Sequence, residues 1–378
     1  MIGNSTTTPI MNVTRSVTYQ SSIGTNCSTD HCSASEESNT PPHYYHLPLT
    51  AIVVILICIL LIGFVGNILV VIIVVKKRRM QTCTNWLIAN LAVCDLAVSV
   101  FCIPLDIPII VTEKWMYGEF FCVLYYPTGT AIMYGSILTL VALTYTRFWA
   151  IRYPFREQAG AFVAKIVIAG IWILSFVLVA PLVSVLRYNS KYQVCYEDWG
   201  VKNRAAYTLC MFLLGYAVPL LVITVAYGFI LYEIIFRKRP YVKQSDTLVK
   251  ENRKLFKLAL VITVTFVVCV SPNQLIWLLF EFGDFDKHEY ITDIRVCSHL
   301  LLFLNSALNP IIYNVFSASF RDGFKQFKQG FFSKARGVRR TPTLVSELNL
   351  NMKSSYTLKP LMENGRVSRD HGEREEGV

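Results

Sequence analysis

Seven stretches of the chain are long, apolar and nearly free of charge, and they carry their few polar residues at isolated positions. They run approximately 48 to 75, 84 to 110, 119 to 151, 162 to 186, 206 to 236, 254 to 280 and 291 to 315. A hydrocarbon core of about 30 Å needs about 20 apolar residues per helix, so this pattern predicts seven membrane-crossing helices and puts the chain ends on opposite sides. The last stretch, His299 to Phe320 (HLLLFLNSALNPIIYNVFSASF), is interrupted by Asn305, Ser306 and Asn309. Pro310 then removes a backbone donor, and its ring clashes with the preceding turn, so the helix is expected to bend there. In hydrocarbon the freed groups must pair with something, which places this segment inside a bundle with its partners on other helices.

The other spans have similar interruptions. Gly63 and Gly66 permit close helix approach in the first, where Asn67 needs an internal partner. Asp95 puts an ionisable carboxyl near the middle of the second; such a residue is functional by default, the alternative being a protonated acid that only hydrogen-bonds across helices. Pro104 and Pro108 bend the outer half of that span.

Composition agrees: 53% of the residues are hydrophobic and 16% charged, and the mean hydropathy of +0.44 excludes an ordinary soluble domain. The net charge of +11 invites a nucleic-acid reading, but its distribution points to membrane topology and to no nucleic-acid partner. Basic clusters at Lys76 to Arg79, Arg152 to Lys165 and Arg237 to Lys257 fall in alternate loops, which the positive-inside rule places in the cytoplasm. The other loops lean acidic, with Asp106, Glu113, Glu119, Glu197, Asp198, Glu281, Asp284, Asp286, Glu289 and Asp293 assigned to that side. The N-terminus is therefore expected outside, where the sequons at Asn4, Asn12 and Asn26 could be glycosylated. No signal peptide is visible in the polar residues 1 to 46, so the first span is expected to act as signal anchor.

The Asn309-Pro310-Ile311-Ile312-Tyr313 word and the basic amphipathic run after it resemble the seventh and eighth helices of rhodopsin-like G-protein-coupled receptors. So do GFVGN in the first span, Asn90-Leu91-Ala92-Val93-Cys94-Asp95 in the second, the Trp115-Met116-Tyr117-Gly118 loop, Arg147, Trp172, Pro181, Pro219, Tyr227 and Pro272. The resemblance covers about 48 to 330. It implies an all-α membrane protein: a disordered, glycosylated extracellular tail (1–46), a seven-transmembrane bundle (47–315), an amphipathic eighth helix (316–332) and a disordered cytoplasmic tail (333–378). Phenylalanines at Phe316, Phe320, Phe324, Phe327, Phe331 and Phe332 alternate with basic residues, as suits an interfacial helix on the inner leaflet and its lipids.

Cys122, at the top of the third span, and Cys195, in the loop after the fourth, both lie on the oxidising side and are expected to be bridged; Cys27 and Cys32 could pair locally. No cysteine follows Cys297, so the tail offers no palmitoylation site. Family resemblance further implies a plasma-membrane receptor, not an enzyme, in which an outer ligand favours an arrangement that admits a heterotrimeric G protein as the sixth span swings outward. It assigns Arg147, Tyr227, Phe266, Pro272, Pro310 and Tyr313 to the activation switch. No organic cofactor is implied; Asp95, Ser136, Asn305 and Asn309 would form a polar core able to bind an allosteric sodium ion. Tail residues such as Thr341, Thr343, Ser346 and Ser354 would be substrates for a receptor kinase and so a docking point for arrestin.

Phe303 occupies the position of the retinal lysine, and Gly129 that of the amine-binding aspartate, which argue against an opsin and a monoamine receptor. A neuropeptide ligand is the first reading, with a lipid or other small molecule, or a transporter, as alternatives. Glu197, Asp198, Glu281, Asp284, Asp286, Glu289 and Asp293 form an expected acidic ligand rim that would steer a basic peptide. Three departures from the family stand out: Thr146 where an acid precedes Arg147, Phe148 where a tyrosine follows it, and Val270 where span six carries a tryptophan. A second acid is missing at the start of span six, where Asn252 matches and Glu251 is one residue off. Arg147 is thus left without a neighbouring carboxylate, although Thr146 could hydrogen-bond it, and ligand-free signalling is expected to be high. The switch assigned to the tryptophan must shift to Phe266 or be lost.

Overall fold

The computed structural model describes residues 48–153, 156–199, 201–236, 245–283 and 291–335. Seven helices are long and apolar enough to cross a membrane: Leu49–Lys76, Cys83–Thr112, Gly118–Arg152, Ala161–Val185, Asn203–Phe236, Arg253–Phe282 and Asp293–Phe316, spans one to seven below. They agree with the sequence-predicted stretches to within a few residues at each end. Phe316 closes span seven, and an eighth helix, Ala318–Ala335, follows after Ser317. Its Phe320 is buried against Tyr313, with ring centroids 5.5 Å apart. A Cβ on Gly323 would come within 2.8 Å of Ile73, so the glycine lets this helix lie close against span one.

The prolines shape the spans as their chemistry requires. Ahead of Pro104 and Pro219 the helices widen into π turns, Val98–Cys102 and Leu213–Ala217, which absorb the missing donor and the ring clash. At Pro310 the relief comes from another helix. Proline 310 cannot donate to Ser306 O, and the Asn67 side-chain amide of span one donates to that carbonyl at 2.8 Å and to Gly63 O at 2.9 Å. Gly66 is part of the same fit: a Cβ there would lie 2.6 Å from the Pro310 ring. Gly66 thus gives the room for close approach of spans one and seven, and Asn67 satisfies the carbonyl that Pro310 leaves free.

Large apolar side chains such as Phe120, Phe162, Ile173, Leu221 and Phe229 are exposed around the bundle, while Asn67, Asn90, Asp95, Ser136, Thr139, Arg147 and Asn309 are buried inside it. A soluble core would place them the other way, and lipid is the solvent that makes this distribution stable. Between spans two, three and four, Asn90 donates to Thr139 Oγ1 at 2.8 Å and accepts from Trp172 Nε1 at 3.0 Å, so neither end of the amide is left unpaired.

On one face a two-stranded antiparallel hairpin, Leu186–Asn189 with Val194–Glu197, follows span four. Cys195 on the hairpin bridges to Cys122 near the start of span three, with Cα atoms 5.7 Å apart. Trp115 N donates to Gln193 O at 2.7 Å and ties the loop after span two to the same hairpin.

Candidate functional site

The side chains that could carry function fall into three groups along the bundle. Midway along it, Asp95 of span two is 2% exposed and accepts from Asn309 Nδ2 of span seven at 2.8 Å. Ser306 is a second side-chain hydrogen-bond partner of that carboxylate. Ser136 is buried on span three, gives its proton to Ile132 O at 3.1 Å and is a side-chain hydrogen-bond partner of Cys94, the residue before Asp95. The amide oxygens of Asn305 and Asn309 are buried without a hydrogen-bond partner among the described residues. A carboxylate with the unsatisfied Asn309 amide beside it suits a small hard cation better than a metal needing several anionic or imidazole ligands.

At the end of the bundle formed by the close of span three, Arg147 is 6% exposed and donates through Nη2 to Thr84 Oγ1 of span two. The possible Thr146 to Arg147 bond is not made: Thr146 Oγ1 lies 2.8 Å from Leu143 O and donates to its own helix. A threonine hydroxyl on a helix reaches the carbonyl one turn back more easily than the side chain of the next residue, which projects about 100° away. Arg147 Nε is left buried without a partner among the described residues.

Tyr227 of span five meets Thr263 Oγ1 of span six at 3.0 Å and packs edge-on against Phe256 at 5.6 Å. Arg152 Nε pairs with Glu233 Oε1 at 3.3 Å and links spans three and five. The Tyr313 hydroxyl is buried and unpaired among the described residues. Phe266 and Val270 are both buried, and Pro272 lies within the same helix. Asn252 and Glu251 fall where no side chain is described.

At the opposite, disulfide-bearing end, the acidic rim divides. Glu281 is engaged by Arg204, whose Nη2 lies 2.8 Å away and whose Nε donates at 2.9 Å. Glu197 accepts from Trp199 Nε1 at 2.7 Å. Burial pushes the Glu197 carboxyl above its ordinary range, against the Trp199 hydrogen bond and the nearby Arg204, which hold it down. These two acids are therefore partnered inside the protein and are not a free rim. Asp198 is exposed, and Asp293 Oδ1 is buried and unpaired among the described residues. Asp284, Asp286 and Glu289 lie outside the described residues, as do Asn4, Asn12, Asn26, Cys27, Cys32 and the tail phosphorylation candidates.

Asp106 is the residue that the sequence reading misplaced. Counted with the outer loops, it lies within span two, 7% exposed, where it accepts a hydrogen bond from the Tyr125 hydroxyl and faces His299 Nδ1 at 3.9 Å. A signal was available, since an acid between Pro104 and Pro108 in an apolar run is an intramembrane ionisable group.

Comparison with known proteins agrees with this geometry. The model of the family described as 7 transmembrane receptor (rhodopsin family) matches residues 66–313. Galanin receptor 2a of Danio rerio is 34% identical over 253 residues, which cover 64% of this chain and 68% of that protein. Galanin receptor type 2 of Homo sapiens is 31% identical over 258 residues (67% and 66%), and Galanin receptor type 1 of Mus musculus 32% identical over 250 (64% and 71%). With the family match running from Gly66, against the Pro310 ring, to Tyr313, and the polar residues of the bundle buried within it, the chain belongs to the rhodopsin family of seven-transmembrane receptors.

Proposed function

We propose that this G-protein-coupled receptor recognises a peptide of the galanin class on the disulfide-bearing side of the bundle and passes that event to a heterotrimeric G protein on the other. The observation that carries the ligand class is the likeness to galanin receptors over about two thirds of the chain. The receptor makes and breaks no bonds in its ligand; its work is a shift of population between arrangements of the bundle. Positive charge in alternate loops supports a plasma-membrane orientation with the N-terminus outside, where the three sequons would be glycosylated.

The hydrogen bonds suggest how the ends communicate. Arg147 to Thr84, Tyr227 to Thr263 and Arg152 to Glu233 fasten spans two, three, five and six to one another. Outward movement of span six would break the Tyr227 to Thr263 contact, and Arg147, sealed at 6% exposure, becomes reachable only if the spans part. Pro272, Pro310, Phe266 and Tyr313 would supply the bends and the packing that shift with it. Asp95, Ser136, Asn305 and Asn309 would hold a sodium ion, which would neutralise the buried carboxylate and favour the inactive arrangement. Receptor kinase and arrestin would act on the serines and threonines of the tail, and inner-leaflet lipids on the basic face of the eighth helix.

The test is expression of the whole chain in a reporter line with promiscuous G-protein coupling, challenged with galanin and with a panel of other amidated peptides. A saturable response to galanin supports the proposal. A response confined to another peptide, or to a lipid, overturns the ligand class.

A further inference from the structure

We propose that Asp106 anchors a cationic group of the ligand, an ammonium or a guanidinium, at the disulfide-bearing end of the bundle, and that His299 is the cover this group displaces. The inference rests on the reading of that end as the ligand side, and goes beyond it by naming a subsite and its chemistry.

Asp106 is a buried acid only half satisfied. Its Oδ1 accepts from Tyr125, while Oδ2 is buried with no hydrogen-bond partner among the described residues. Among the described residues the cation-forming group facing it is His299 Nδ1 at 3.9 Å, beyond hydrogen-bonding distance, on a side chain 44% exposed. An orphaned carboxylate oxygen behind a half-exposed imidazole is costly as it stands, and a donor brought from outside would relieve it. The surroundings favour a cation as that donor. Tyr125 packs among Phe101 (5.9 Å) and Trp115 (5.6 Å) at tilted angles and Tyr126 (5.0 Å) edge-on, and aromatic rings with a carboxylate are the chemistry that recognises ammonium and guanidinium groups.

Among the other described acids at this end, Asp293 also has a buried, unpaired oxygen, but Tyr125 and His299 face Asp106. Glu281 already has Arg204, and Glu197 has Trp199. Arg295, the nearest other charge on span seven, lies over the Phe280 ring at 4.0 Å. Spans two, three and seven each contribute to the Asp106 site, so a cation bound there would bear on all three.

The test needs no knowledge of the ligand. His299→Cys in the full-length receptor in membranes places a thiol where the cover stands, and its modification rate at pH 8 is measured with cationic 2-aminoethyl methanethiosulfonate and anionic 2-sulfonatoethyl methanethiosulfonate, against the unsubstituted receptor as background. The cationic reagent is expected to react faster by about tenfold or more beyond its intrinsic advantage. Adding Asp106→Asn should abolish that preference, and Asp106→Glu should retain it, with surface expression followed by an epitope tag. Equal rates for the two reagents, or a preference that survives Asp106→Asn, would overturn the subsite. Failure of galanin to elicit a response would count against the ligand class and leave this electrostatic measurement standing on its own.

Discussion

Thr146→Asp should lower signalling in the absence of ligand. Thr146 stands where the resemblance to the family implies an acid, and its hydroxyl donates to Leu143 O at 2.8 Å. Arg147, 6% exposed, is held by the neutral Thr84 hydroxyl while its Nε goes unpaired among the described residues. Hydrogen bonds to a charged group contribute roughly 1.5 to 3 kcal/mol; the Arg147 to Thr84 bond, charged on its donor alone, belongs at the low end of that range, and an ion pair with a carboxylate at the high end. A carboxylate within reach of this buried guanidinium therefore adds about 1 to 2 kcal/mol to the arrangement in which Arg147 is sealed. At about 1.4 kcal/mol per factor of ten, the ligand-free active fraction should fall roughly five- to thirtyfold. Thr84→Val should act in the opposite direction, because it removes the acceptor that now restrains Arg147. The assay is ligand-free G-protein activation at matched surface expression. An unchanged or higher basal rate in Thr146→Asp would refute the reasoning and show that packing alone holds Arg147.

Three further outcomes are expected. Cys122→Ser or Cys195→Ser should abolish ligand binding at the surface, since opening a bridge across 73 residues releases about 4 kcal/mol of chain entropy; mass spectrometry finding both thiols free in folded receptor would contradict it. Asn67→Ala leaves the Ser306 carbonyl without its donor and should lower stability in detergent by about 1 to 3 kcal/mol, read as a drop in Tm, whereas an unchanged Tm would mean that the bend satisfies itself. Gly66→Ala drives a Cβ to 2.6 Å from a rigid proline ring and should cost about 1 to 3 kcal/mol, relieved when combined with Pro310→Ala; no relief would place the strain elsewhere.

The number of spans, their approximate ends, the missing donor at Pro310 and the burial of Asp95 and Asn309 inside the bundle were legible in the sequence. Each of these is carried by a strong local signal: a long apolar run, a missing donor, or a polar group too costly to leave in lipid. What the tertiary structure decided is which groups meet. That Asn67 satisfies Ser306 O, that Arg147 turns to Thr84 while Thr146 bonds its own helix, and that Arg204 takes Glu281 out of the acidic rim depend on how each helix is rotated and how closely it packs. Those pairings join residues far apart in the chain, and the sequence records no period or spacing for them. Asp106 is the clearest instance: its composition marks it as an unusual acid, but only the packing of spans two, three and seven turns it away from lipid and sets it between Tyr125 and His299.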